Sequence, residues 1–185
     1  MTIRIARSLL SGVGAIVTIA GHLSAQPEPS GADRPVAAAL ESLWSETIRH
    51  ITTVAQETSE ADYGWRPTEG VRSIGEMIGH IAGAQYLICA AALGDTPRDE
   101  DEVERNATTR AALLEALTAS TAYCARAYAQ SDSTLHAETE VFGRTGPRFY
   151  ALGVNATHNG EHYGNLVTYL RLRGLVPPSS RPRQP

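Results

Sequence analysis

The stretch FYALGVNATHNGEHYGNLVTYLRLRGLVPP, residues 149–178, decides the fold that we predict for this chain. We interpret it as one long helix, because it ends on residues that stop helices. Arg171 and Arg173 fall in the last turn, where cations interact favourably with the helix carboxyl end. Gly174 is the expected left-handed residue just past the helix, and Pro177 prevents its continuation.

This helix carries two histidines, His158 and His162, at positions i and i+4. Residues four apart lie on the same helical face, one above the other. Two imidazoles placed in this way can bind one metal ion together. The pair therefore predicts a metal site, provided that another part of the chain supplies a third ligand.

Length and charge limit the class of protein. The chain has 185 residues and a formal net charge of −4, which suits one domain with its own core. It has no basic stripe with interleaved aromatic residues, so we expect no nucleic-acid partner. Beyond the amino terminus we find no apolar segment of the roughly 20 residues needed to span a bilayer.

The amino terminus has the layout of a secretory signal peptide. Arg4 and Arg7 form a basic start, residues 8–20 are largely apolar and small, and Ala25 offers a cleavage site. An uncleaved anchor or a cytosolic amphipathic start are the alternatives. We predict a signal peptide over residues 1–25 and export to the periplasm or out of the cell.

Composition divides the mature chain into three parts. Residues 26–35 are rich in Pro, Gly and Ser and form a predicted flexible lead-in. Residues 36–178 hold the helical patterns and form the predicted bundle. Residues 179–185 have the composition of a disordered tail.

Three further helices precede the histidine helix. Apolar residues recur at helical spacing over residues 36–58. Ser73-Ile-Gly-Glu76 has the form of a capping box and opens a second helix that runs to about Leu93. Over residues 107–128 apolar residues repeat at alternating steps of three and four, typical of a bundle.

Two long connections join these helices. Residues 94–105 are polar and mostly acidic, and we interpret them as a solvated crossover without a metal site. A crossover of about a dozen residues permits parallel neighbours. Residues 131–146 are irregular, with a short alternating run that favours an extended segment. The predicted fold is all-α, a four-helix bundle with a long crossover between helices 2 and 3.

His80 in the second helix is the candidate third ligand. It follows Met77 by three residues and precedes Ala84 by four, so it can face inward with them. Imidazole suits zinc, nickel, copper and iron. Together with His158 and His162, it would leave coordination positions open, as catalytic rather than structural sites do.

Several other residues allow two interpretations. His50 is a fourth ligand or, more simply, a polar residue at the helix edge. Glu161 is a candidate base, but it is rotated about 100° from His162 on the helix, which favours a surface carboxylate. No catalytic residue is assigned. Cys89 and Cys124 lie on different helices, and we expect small core residues, with a disulfide as the alternative.

The motifs Trp65-Arg-Pro, residues 73–81 (SIGEMIGHI) and residues 158–178 resemble the DinB-like family. That family is similar to thiol-dependent S-transferases and mycothiol-dependent isomerases. The resemblance covers nearly the whole mature chain. It implies a four-helix bundle with a long crossover and a divalent metal held by one histidine of helix 2 and two of helix 4. The matching positions here are His80, His158 and His162.

Three functions are compatible with this pattern. The first is a metal-dependent enzyme of hydrolase or transferase type that acts on a small molecule. The second is a metal-binding or ligand-binding bundle without turnover, and the third is a structural bundle whose histidines are hydrogen-bonded and metal-free. Zinc is the expected ion, with nickel, iron or manganese as alternatives. A homodimer is a candidate assembly, since bundles of this kind often form dimers, but the sequence marks no face for one.

Overall fold

The computed structural model describes residues 33–182. The predicted signal peptide, residues 1–25, lies outside the described residues, as does almost all of the predicted lead-in. The last three residues, 183–185, lie outside them as well.

Four long helices form the fold. They are α1 (Pro35–Glu57), α2 (Ile74–Leu93), α4 (Arg110–Tyr128) and α6 (Arg148–Leu172). The smaller elements are α3 (Glu102–Asn106), α5 (Asp132–Leu135), β1 (Glu138–Val141), β2 (Arg144–Pro147) and single 3-10 turns at Glu60–Asp62 and Pro178–Ser180. The predicted all-α bundle is confirmed, and α6 is the predicted histidine helix.

Around the bundle the long helices follow the order α1, α6, α2 and α4, each packed against the next. Gln130 Nε2, just past α4, donates to the Ala92 carbonyl near the end of α2 at 3.0 Å, so these two helices run parallel. The Tyr169 hydroxyl near the end of α6 donates to the Arg72 carbonyl before α2 at 3.0 Å, so that pair is antiparallel. The crossover thus joins parallel neighbours.

Helix α2 is the most buried of the four, and its start is fixed by the predicted capping box. Ser73 Oγ accepts from the Glu76 amide at 3.2 Å, and the Glu76 carboxylate accepts from the Ser73 amide at 2.7 Å. By length and composition α2 is also long and apolar enough to cross a membrane. The prediction that no segment beyond the amino terminus meets this criterion is therefore wrong. Within the bundle 78% of its apolar window is buried, as in the core helix of a globular domain.

The crossover departs from the prediction of a solvated loop. Gly79 and Gly83 of α2 face it directly, and a Cβ at Gly83 would collide with the Glu100 carbonyl oxygen. A Cβ at Gly79 would lie 2.9 Å from the Glu104 Cα. Because glycine has no side chain, the backbone of residues 100–104 packs directly on α2. The prediction missed this because it weighed the acidic side chains and not the glycines opposite them.

The irregular segment before α6 contains a hairpin. Strands β1 and β2 pair antiparallel, with Glu138 opposite Pro147 and Val141 opposite Arg144. Phe142 and Gly143 form the two-residue turn with positive φ of 49° and 71°, the geometry that matches the twist of a hairpin. The alternating sequence pattern therefore indicated a real extended segment.

The expectation of two unpaired cysteines is wrong. Cys89 of α2 and Cys124 of α4 form a disulfide, with Cα atoms 5.3 Å apart, and both are fully buried. The two residues meet because α2 and α4 are parallel neighbours in register. Sequence spacing alone does not report which helices are neighbours.

Residues 179–182, at the start of the predicted tail, contact the bundle. The Ser179 amide donates to the Tyr163 hydroxyl at 2.9 Å. The Arg181 guanidinium donates to both carboxylate oxygens of Glu57 at 2.8 and 2.6 Å. These contacts hold the segment against the end of α1 and the side of α6.

Candidate metal centre

The three predicted histidines meet inside the bundle and form a group that could hold a metal ion; we call them the histidine cluster. Helix α2 supplies His80, and α6 supplies His158 and His162. The Nε2 atom of His162 lies 3.0 Å from that of His80 and 3.1 Å from that of His158. The i, i+4 spacing on α6 and the antiparallel packing against α2 bring the rings to one point.

The ring nitrogens of the cluster are incompletely satisfied by protein groups. His80 and His162 are only 7% and 9% exposed. The Nδ1 atoms of His80 and His158 are buried without a hydrogen-bond partner. A neutral imidazole has one donor and one acceptor nitrogen, so no distribution of protons pairs every nitrogen. The Nε2 atoms are the nitrogens that face one another, and lone pairs that converge in this way favour a shared cation.

Burial keeps the three imidazoles neutral. It lowers the pKa of His80 to about 4, with the Arg72 cation as the next cause. It lowers the pKa of His158 to about 3, reinforced by the neighbouring His162 and His80. The pKa of His162 is also lowered by burial. Neutral imidazole is the form that binds a metal.

The spacing of the nitrogens fits a shared ion. Two nitrogens bound to one tetrahedral zinc at about 2.0–2.1 Å lie about 3.3 Å from each other. The observed separations of 3.0 and 3.1 Å are within a few tenths of an ångström of this value. The convergence of the Nε2 atoms and the neutrality of the imidazoles together make the cluster suitable for a divalent metal with open positions.

Acidic residues of the crossover lie beside the histidine cluster. The sequence did not predict that they approach the site. Glu100 Oε1 lies 3.8 Å from Nε2 of both His80 and His158. Burial, and next the charge of Asp101, raise the pKa of the Glu100 carboxyl. Glu104 lies 3.9 Å from His80 Nδ1, and a second group that could hold a metal combines His80, Asp101 and Glu104.

A signal for this arrangement was present in the sequence. Gly75, Gly79 and Gly83 recur every fourth residue of α2, which indicates a helix face open to a close neighbour. Because His80 directly follows Gly79, a segment that packs on this glycine face must lie close to the histidine. Nothing in the sequence identified the crossover as that neighbour.

An open cleft of about 670 Å³ lies beside the cluster. Its wall includes His162 together with Arg72, Met77, Asn165 and Tyr169. The Asn165 amide nitrogen lies 3.4 Å from His162 Nδ1, which orients that ring. The cleft gives a small molecule access to one side of the cluster.

The remaining candidates lie elsewhere. His50 is buried and stacks on Tyr163, with ring centroids 5.1 Å apart and planes 16° apart. Among residues 33–182, neither group that could hold a metal includes His50. Glu161 is exposed on the flank of α6. Trp65 packs edge-on against Tyr169, with ring centroids 5.8 Å apart.

Comparison with solved structures supports the same architecture. A DinB-like protein from Bacillus cereus ATCC 10987 is similar with a TM-score of 0.65 and 16% identity, over 76% of this chain and 95% of that one. A DinB-like protein from Bacillus subtilis has a TM-score of 0.56 and 19% identity, over 79% of this chain and 99% of that one. At such low sequence identity, these two comparisons show a similar fold and nothing further.

A mycothiol-dependent maleylpyruvate isomerase is similar with a TM-score of 0.56 and 19% identity. The likeness covers 68% of this chain but only 58% of the isomerase, so this chain spans little more than half of that enzyme. A search among curated proteins finds no significant match.

Fold and site together define a class: all-helical bundles that bring histidines of two antiparallel helices to one candidate metal centre. The sequence profile of one such family matches residues 39–166, well over half of the chain. The chain belongs to the DinB superfamily.

Proposed function

We propose that this protein is an exported metal-dependent enzyme of hydrolase or transferase type. His80, His158 and His162 would hold a divalent ion, zinc in the first place, with nickel, iron or manganese as alternatives. The observation that carries the proposal is the convergence of three neutral imidazoles, two buried and that of His158 half-buried, whose Nε2 atoms face one another at 3.0 and 3.1 Å.

Bound at these histidines, a divalent ion supplies Lewis acidity that lowers the pKa of a coordinated water or thiol towards neutrality. The protein's own residues hold and orient the reactants. Asn165 contacts the His162 ring, and the Tyr169 hydroxyl, bonded to the Arg72 carbonyl, fixes the cleft wall. The cleft mixes charged, polar and apolar side chains, which suits a small polar molecule as substrate.

The disulfide supports the proposed export. Disulfides persist in oxidising compartments and are rare in the cytosol. A buried bridge between Cys89 and Cys124 agrees with a signal peptide over residues 1–25. The name of the structurally similar mycothiol-dependent isomerase supports including thiol transfer among the reactions to test.

A non-catalytic bundle that binds a metal or a small ligand is the second candidate. Its support is the position of Glu161, the base suggested by the sequence, which is exposed on the flank of α6. Binding needs only the histidines, whereas turnover also needs a group that moves protons.

The test is an activity screen of the mature chain in metal-loaded and chelator-treated forms. The panel contains activated esters, amides, and thiols paired with electrophiles. Turnover that requires metal and disappears in His162→Ala supports the enzyme. Stoichiometric metal without turnover on any of these substrates favours the binding bundle. A failure to bind metal contradicts the enzyme and the metal-binding form of the second candidate.

A further inference from the structure

We propose that Glu100 is a fourth ligand of the metal centre, a carboxylate that the crossover supplies to the three histidines. This inference rests on the proposed function, because it requires a metal at the histidine cluster. It adds an oxygen ligand from a segment that the sequence marked as solvated.

The position of the Glu100 carboxylate favours a role as a ligand. Glu100 Oε1 lies at the same distance, 3.8 Å, from Nε2 of His80 and Nε2 of His158. It therefore faces the metal-binding nitrogens and not the outer edges of the rings. The side chain is 26% exposed, so the carboxylate lies at the boundary between the cluster and solvent.

The backbone of the crossover holds Glu100 there. Gly83 leaves the room that the Glu100 carbonyl occupies against α2, and Gly79 does the same for Glu104. The Glu104 carboxylate accepts from Arg72 Nε at 3.0 and 3.1 Å, which ties the far side of the segment to the start of α2. A residue supported on both sides is held in position before any ion binds.

Charge partners distinguish Glu100 from its acidic neighbours. Every other acid between residues 99 and 104 faces an arginine. Asp99 and Asp101 face Arg105 at 2.5 and 3.9 Å, Glu102 faces Arg98 at 3.0 Å, and Glu104 faces Arg72 at 3.0 Å. Within residues 33–182 the Glu100 carboxylate instead faces only the two neutral histidines. A partly buried carboxylate aimed at neutral imidazoles gains a countercharge when a cation binds between them.

The experiment measures Zn²⁺ affinity by competition with a chromophoric chelator and records the visible spectrum of the Co²⁺-loaded protein. Glu100→Gln removes the charge with little change in shape, and Glu100→Asp keeps the charge but shortens its reach. Glu102→Gln is the matched control, since it removes the same charge from the same segment at a residue that faces Arg98.

We expect Glu100→Gln and Glu100→Asp each to weaken Zn²⁺ binding by about tenfold or more and to change the Co²⁺ spectrum. Glu102→Gln should leave both within about twofold, and the Glu100→Gln defect should persist at high salt, where through-space effects are screened. Affinities and spectra of both Glu100 variants that match Glu102→Gln would overturn the inference. A wild-type protein that binds no metal would instead overturn the proposed function.

Discussion

His80 and Gln85 are buried polar residues about 7 Å apart along α2. They belong to two groups that differ in how their polar atoms are paired. The Gln85 network consists of Gln85 with Trp44, Ser120 and Asn159. Gln85 Oε1 accepts from Trp44 Nε1 at 3.1 Å and Asn159 Nδ2 at 3.4 Å, and Gln85 Nε2 donates to Ser120 Oγ at 3.0 Å. The amide of Gln85 therefore finds all its partners within the protein, although Asn159 Oδ1 in the same network has none.

In the histidine cluster, by contrast, protein groups do not pair every ring nitrogen. Its Nε2 atoms face one another at 3.0 and 3.1 Å, and two of its Nδ1 atoms are unpartnered. A buried amide with partners fixes the packing of helices, whereas imidazoles whose Nε2 atoms converge on one another favour a cation from outside. The difference separates a structural polar group from a functional one, and four substitutions or conditions test it.

The largest expected effect is on metal affinity. His162→Ala removes the nitrogen that lies close to both other ligands, so metal affinity should fall by more than about 100-fold. The measurement is competition with a chromophoric chelator. His136→Ala is the control, because His136 is exposed and should leave affinity unchanged. Equal affinity of both variants would show that the cluster is not the site.

The disulfide belongs to the structural side of the comparison. Replacing both Cys89 and Cys124 by Ala removes a bridge that spans 35 residues, which should lower the free energy of unfolding by about 3 kcal/mol. Urea unfolding measures the loss. Metal affinity should stay within about twofold, and a large loss of affinity would mean that the two regions are coupled.

A smaller effect is expected for Gln85→Leu. The substitution keeps most of the volume but leaves the Trp44 N–H and the Asn159 amide without their acceptor, which should cost about 2 kcal/mol of stability. Urea unfolding of the metal-free protein gives this number. If instead metal binding collapsed while stability held, the distinction between the network and the cluster would be wrong.

The smallest effect is a pH dependence of the metal-free protein. Unfolded histidines take up protons near pH 6.5, but burial lowers the pKa of folded His80 to about 4 and of His158 to about 3. Between these values the unfolded state binds more protons, so stability declines as pH falls from 6.5 towards 3. Melting temperatures over this range should show a shallower slope for His80→Gln; an identical slope would contradict the assignment.

Local signals in the sequence predicted most of the bundle correctly. The capping box at Ser73 began α2 as expected, and Gly174 adopts the left-handed conformation after α6 with φ of 72°. The helical period also predicted that His80 faces inward with Met77. These features depend on residues within one or two turns of each other.

Features that depend on the contact between distant segments could not be predicted. Pairing of Cys89 with Cys124 requires knowing that α2 and α4 are parallel and in register. The approach of Glu100 requires knowing which segment covers the glycines of α2. In both cases the side chains were visible in the sequence, but their neighbours are set by packing of the whole chain.

The most direct test of the account is the metal content of the purified mature protein. After incubation with excess Zn²⁺ and thorough desalting, elemental analysis should find one ion per chain, and His162→Ala treated in the same way should retain almost none. A wild-type protein that stays well below one ion per chain after this reconstitution would contradict the central claim.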